Sequence, residues 1–238
     1  MVYERLPTLT AERSAAPIVA FLLAGAARDV RPRNMAESFH SNIVGPLRPG
    51  NLSAVFVVLK AIHRNGEPYN TSEYRTFAAT LQAVLGPARA LVTSDDWIAR
   101  EVAAQAHRLR SCAFTVPAHP EMGERIMRNW WGALSVGWKF IESHEREQAM
   151  RFDDVILARA DLDYSHPIGP YWVYDTARFW YLGPTPLDAF WLLSRPVAAD
   201  VLPSLTSIWD REAPTESAAS SDIRACPSRM RKAHWHER

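Results

Sequence analysis

Uninterrupted apolar runs and four-residue apolar stripes alternate along this chain. Ile18 to Ala24 (IVAFLLA) is apolar at every position and stops at Gly25, the pattern of a strand buried on both faces of a sheet. From Asn34, apolar Met35, Phe39, Ile43 and Leu47 recur every fourth residue, which predicts an amphipathic helix with Asn34 as cap and Pro49-Gly50 as stop. Leu52 to Leu59 (LSAVFVVL) is again a strand, and Asn65-Gly66 and Pro68 break the chain after it. Ser72 to Leu85 is a second helix, with Tyr74, Phe77, Leu81 and Leu85 on one face and Gly86-Pro87 ending it. Ala90 to Thr93 is a short strand, Asp95 caps a third helix to about Leu109, and Cys112 to Val116 is a further strand.

Glu121 to Met150 contains Ile126, Trp130, Leu134, Trp138 and Ile141 along one helical stripe. A stripe at that period is what burial alone produces, so core packing is preferred for its tryptophans over a sugar-stacking platform. Asp153 to Ala158 follows as a strand, Tyr171–Tyr174 and Arg178–Leu182 as two short antiparallel strands turning at Asp175-Thr-Ala, Ala189–Leu193 as one more, and Pro196–Trp209 as a closing helix. Strands alternating with helices predict an α/β fold: a single, mostly parallel central sheet with helices on both faces and a small antiparallel addition near its end. The expected organisation is a loose lead-in over residues 1–16, the α/β domain over 17–209, and a flexible tail over 210–238.

Composition narrows the function classes. Apolar residues make up 47% and charged residues 22% of 238 residues, which fits one large globular domain and excludes disorder for most of the length. A net charge of +1 supplies no field to draw in a polyanion, so nucleic acid is not an expected partner. Cys112 and Cys226 are too few and too far apart for a disulfide framework or a Cys-type zinc site. Ile18–Ala27 is only half the roughly 20 residues of a membrane-spanning helix, and Glu4 and Glu12 balance Arg5 and Arg13 where a secretory leader needs positive charge. No transmembrane segment is expected. Neither GxGxxG, GxxxxGK[ST] nor GxSxG occurs, which removes the main support for dinucleotide oxidoreductases, Walker-type nucleotidases and serine hydrolases.

The segment Phe152 to Tyr164 (FDDVILARADLDY) carries the chemistry. A buried strand delivers Asp161 and Asp163 at its carboxyl end, where α/β sheets bind ligands. Two carboxylates at i and i+2 repel unless a cation lies between them, so the doublet favours a divalent metal, Mn2+ or Mg2+, shared with diphosphate oxygens. Arg159 either neutralises Asp161 or faces the phosphates, and His166 is either a third metal ligand or a turn residue before Pro167. Asp95 either caps its helix or touches a base or ribose.

The Asp161-Leu162-Asp163 triplet after its hydrophobic strand resembles the D-x-D region of GT-A glycosyltransferases. More narrowly, the order of an "IVAFLLAGAAR" strand and turn, a long helix, the "DDVILARADL" strand and a later "DAF" segment resembles poorly characterised eukaryotic glycosyltransferase-like proteins. The likeness covers residues 17–28, 121–163 and 186–195, and Ala160 stands where such relatives often have Pro. The resemblance implies a GT-A-like fold and a nucleotide-diphospho-sugar donor held by a metal at Asp161 and Asp163, with Gly25 and Arg28 beside the nucleotide. An ordinary strand-to-loop turn explains Gly25 and Arg28 equally well. If transfer inverts the anomeric centre, a carboxylate must take the proton of the acceptor hydroxyl, and Asp188 is the candidate; a helix or turn cap accounts for it too. Metal-dependent sugar transfer to an unknown acceptor is the leading expectation. A non-catalytic scaffold and a metal-dependent phosphoesterase are the alternatives.

Overall fold

A computed structural model of the chain describes residues 16–28, 31–48, 53–63, 65–93, 130, 132–162, 164–174, 180–182 and 190–207. The apolar runs form strands where they were expected. β1 (Val19–Arg28) and β2 (Ser53–Ile62) are buried almost throughout, β3 is Arg89–Thr93, and β4 is Asp154–Arg159. β5 (Trp180–Leu182) and β6 (Phe190–Ser194) complete a six-stranded sheet in the order β3-β2-β1-β4-β6-β5. β1 to β4 pair in parallel, and β6 runs antiparallel to both β4 and β5. The sheet is therefore mixed and mostly parallel, with its antiparallel part after β4.

Between β1 and β2 the chain forms α1 (Pro32–Phe39), a π-helical turn His40–Val44, and a last turn α2 (Gly45–Leu47). Pro32 begins this helix rather than Asn34, because its fixed φ suits the first helical position and its missing N–H is not needed there. α3 (Thr71–Leu85) starts one residue earlier than the apolar stripe suggests. Asn70 closes a capping box with Glu73, its side chain accepting from the Ser72 and Glu73 N–H groups at 2.9 and 3.0 Å, and Gly86 ends the helix at φ +51°.

α1 and α3 cover one face of the sheet. There Phe21, Leu23, Val57 and Ile156 pack against Met35, Phe39, Phe77 and Leu81. α4 (Gly132–Glu147) and α5 (Arg195–Ser207) cover the other, with Leu22, Phe56 and Leu157 against Leu134, Trp138 and Ile141. Each fully buried Leu or Phe contributes about 1.5–3 kcal/mol relative to exposure, so two such layers stabilise the sheet without any staple. α4 can lie this close because Gly137 has no side chain: a Cβ there would stand 2.4 Å from Leu22 Cδ2. The stripe's tryptophans, Trp130 and Trp138, are both buried in the core, as its period implied.

A buried ion pair locks α4 and α5 at the amino ends of β1 and β4. Arg195 donates through Nε and Nη2 to both Glu145 carboxylate oxygens at 2.8 Å, and the guanidinium lies 4.2 Å above the Trp138 ring. Glu145 Oε1 also accepts the Phe152 N–H at 3.1 Å. Burial alone would raise the Glu145 pKa, but the Arg195 hydrogen bonds, the Phe152 N–H and the charges of Arg195 and Arg151 outweigh it and hold the carboxyl below the usual range.

Two expectations are corrected. Tyr171–Val173 is a 3-10 turn and not a strand: Tyr171 is buried and its hydroxyl donates to the buried Asp154 carboxylate, so the turn is pinned to the sheet. The neighbour of β5 is accordingly β6, not Tyr171–Tyr174. The expected helix from Asp95, the strand Cys112–Val116, the lead-in 1–15 and the tail from 210 lie outside the described residues. Among the described residues no helix is long and apolar enough to cross a membrane.

Candidate functional site

The helices after β1 and β2 cover one face and α4, which precedes β4, covers the other, so the order reverses between β1 and β4. Such a switch point opens a crevice outside the carboxyl ends of the two strands, since the chain leaves them in opposite directions. The register shows where it opens. Ala24 pairs with Arg159, the last residue of β4, and the Ala160 N–H bonds back to the Ala24 carbonyl at 3.0 Å. β1 continues alone beside β2 for four more residues, Gly25 to Arg28, opposite Leu59 to Ile62. Gly25 has φ +112°, which an L side chain rarely adopts, so glycine is required at the residue where β4 departs.

Three of the sequence candidates lie at this end of the sheet, on the adjacent strands β1 and β4. Gly25 forms the kink, Arg28 ends β1 half-buried, and Arg159 ends β4 half-buried. The Arg28 side chain has no hydrogen-bond or ion-pair partner among the described residues. Asp161 follows in the turn after β4 and not on the strand itself, because the strand ends at Arg159. Its carboxylate accepts a bidentate pair from Arg159, Nε to Oδ1 at 2.8 Å and Nη2 to Oδ2 at 2.7 Å. Of the two roles open to Arg159, neutralising Asp161 is the one adopted.

The loop after β4 is tied to the π-helical turn. The Asn42 side-chain amide donates to the Tyr164 carbonyl, and the Asn42 carbonyl accepts the Ile168 N–H at 3.0 Å. The Tyr164 hydroxyl donates to the Arg159 carbonyl at 3.0 Å, and burial pushes that phenol well above its ordinary pKa, so it remains a neutral donor. A π turn widens the helix by one residue, which here turns the Asn42 amide toward the loop, and such turns recur at functional sites. No periodicity in the sequence announces it.

The described donors do not fit a divalent ion. Mn2+ or Mg2+ needs oxygens with unspent negative charge. Both Asp161 oxygens are engaged by a guanidinium, whose positive charge opposes a second cation beside it. His166 is exposed, its Nδ1 is 2.9 Å from Ser165 Oγ, and it belongs to no group of three or more metal-ligating side chains among the described residues. Asp163, the other half of the doublet, lies outside the described residues, as do Asp95 and Asp188.

Two features were not read from the sequence. Lys60 interrupts an otherwise apolar strand, and its β2 neighbours Leu59 and Ala61 belong to the α1 face, so Lys60 lies on the α4 face with Arg159, which is flanked in the same way by Ala158 and Ala160. Arg28, next to Ala27 of the α1 core, lies on that α4 face too. A single cation inside a ten-residue buried strand was the available signal. The second is the Trp130 indole Nε1, buried and without a hydrogen-bond partner among the described residues. Leaving such a donor unmet costs about 1–3 kcal/mol. Comparison with protein-family models, with curated proteins and with solved structures finds no match for this chain.

Proposed function

We propose that the chain is a glycosyltransferase that binds a nucleotide-diphospho-sugar at the crevice between the carboxyl ends of β1 and β4. The observation that carries this reading is the placement of Gly25, Arg28 and Arg159 at the carboxyl ends of β1 and β4, the switch point of a mostly parallel sheet. The antiparallel strand β6 beside β4, the strand that leads to Asp161, also fits the GT-A-like arrangement that the D-x-D resemblance implied. Gly25 lets the backbone approach a diphosphate, and the arginines offer charge-assisted hydrogen bonds to it.

In the transfer, the acceptor hydroxyl oxygen forms a bond to the anomeric carbon. The bond from that carbon to the diphosphate breaks, and its electron pair leaves on the nucleoside diphosphate. The acceptor proton passes to a carboxylate, for which Asp188 is the sequence candidate. Positive charge at the crevice stabilises the leaving group as negative charge develops on it.

A second reading, a non-catalytic binding scaffold with the same fold, is favoured by the Arg159–Asp161 pair, which satisfies the acid without any ligand. Thermal shift across a panel of nucleotide sugars, followed by a donor-hydrolysis assay, separates the two. A transferase is stabilised by one nucleotide class and slowly releases its nucleoside diphosphate. Stabilisation with no release supports the scaffold, and no response to any nucleotide sugar rules out the transferase.

A further inference from the structure

The disagreement between the D-x-D expectation and the Arg159–Asp161 pair points to a different source of positive charge, given the nucleotide-sugar reading above on which this inference rests. We propose that the donor diphosphate is held without a metal ion, by Arg28, Lys60 and Arg159 on the α4 face of the sheet. These residues end or nearly end three adjacent strands. Arg159 is level with Ala24, Lys60 with Ala26, and Arg28 lies two residues beyond Lys60's level, opposite Ile62. With about 3.3 Å per residue along a strand and about 4.8 Å between strands, their Cα atoms form a triangle with sides of roughly 8, 12 and 14 Å. Long side chains from three such corners reach a diphosphate placed between them. On β1 the triangle spans Gly25 to Arg28, and within it Ala26, whose side chain is small, shares the face of the three cations.

Asp161 has a positioning role in this arrangement. Its bidentate contact engages Nε and Nη2 of Arg159 and fixes the plane of the guanidinium.

The buried indole N–H of Trp130 independently points to a ligand in the same corner. α4 runs against the strands: its Glu145 meets Phe152 and Arg195 at the amino ends, and its Glu147 pairs with Arg89 at the start of β3. The residues leading into α4 therefore lie toward the carboxyl ends. Trp130 is 6% exposed and packs edge-on to Trp191 at 6.5 Å, and Trp191 pairs with Leu157, two residues before Arg159 on the same face. A donor sequestered there with no acceptor among the described residues is suited to an oxygen of the bound nucleotide.

The test is calorimetric titration of the full chain with uridine, guanosine, adenosine and cytidine diphosphates, first in EDTA and then in excess Mn2+. The expected result is binding of one diphosphate in EDTA. Arg28→Ala raises its Kd about tenfold or more, the range of a lost charged hydrogen bond, while leaving Tm unchanged. Lys60→Ala weakens binding in the same direction, and so does Trp130→Phe by more than its accompanying fall in Tm explains, since that change removes the indole N–H together with part of a buried ring. Binding that appears only with Mn2+ overturns the metal-free site and leaves the transferase reading standing. Binding in EDTA that survives both Arg28→Ala and Lys60→Ala overturns the assignment of these residues. No binding of any nucleoside diphosphate in either condition overturns this inference and the transferase reading together.

Discussion

Replacing Glu145 by Ala tests how α4 is held over the sheet. The substitution removes both acceptors of Arg195, which is 8% exposed and cannot turn into water without unpacking Trp138. It also removes the acceptor of the Phe152 N–H. Breaking one partner out of a buried pair costs about 3–5 kcal/mol, and the orphaned amide is part of that loss rather than an addition to it. For a chain of this length the expected fall in Tm is about 6–20 °C. Urea denaturation followed by tryptophan fluorescence measures the loss directly. Glu145→Leu combined with Arg195→Met should recover much of the stability, because the cost lies in the unpaired charge and not in the absence of a salt bridge. The sign with pH follows from the depressed Glu145 pKa. The pair stabilises fully above the ordinary value of 4.5, and the stabilisation is lost as pH falls through the lower folded-state value, so Glu145→Gln should show a flatter acid limb than the parent. A Glu145→Ala variant within 1 kcal/mol of the parent, on the roughly 3–5 kcal/mol scale of such losses, would refute the reasoning.

Three further outcomes follow from the geometry. Gly137→Ala forces Leu22 out of its position and should cost about 1–3 kcal/mol by chemical denaturation, with Leu22→Val in the same chain returning part of it. Gly25→Ala must hold an L residue at φ +112°, so it should lose about 1–3 kcal/mol and weaken nucleotide binding more than its stability loss explains. Asn42→Ala leaves the Tyr164 carbonyl without its side-chain donor, and hydrogen exchange should quicken across residues 164–168 while β1 and β2 remain protected.

Much of this architecture is legible in the sequence because burial writes itself as local pattern. β1, β2 and β4 are uninterrupted apolar runs, and only a strand covered on both faces tolerates that composition. Helix α3 is legible from its apolar stripe and the Gly86 stop, although its true cap, Asn70, is two residues before the expected start at Ser72. Features that depend on distant partners are not legible. Glu145 and Arg195 are fifty residues apart and carry no shared motif. Tyr171–Val173 has the aromatic and β-branched composition of a strand but forms a turn whose Tyr171 hydroxyl donates to the buried Asp154 carboxylate, a distant contact the sequence does not display. At the site, the crevice was legible from the strand ends, whereas the charge balance was not. Arg159 and Asp161 adjoin in sequence whether they pair or face a ligand, and the choice depends on where β4 ends. Lys60 reached the site through register with Ala26, a relation between strands that a single sequence does not display.

The central claim is that the gap between β1 and β4 receives a nucleoside diphosphate. Hydrogen–deuterium exchange of the full chain, with and without the nucleotide that binds most tightly, tests it at the level of individual peptides. Slowed exchange concentrated in peptides spanning residues 24–28, 58–62 and 159–162 is the predicted result. Unaltered exchange in all three segments at saturating nucleotide, or protection restricted to other parts of the chain, would contradict the account.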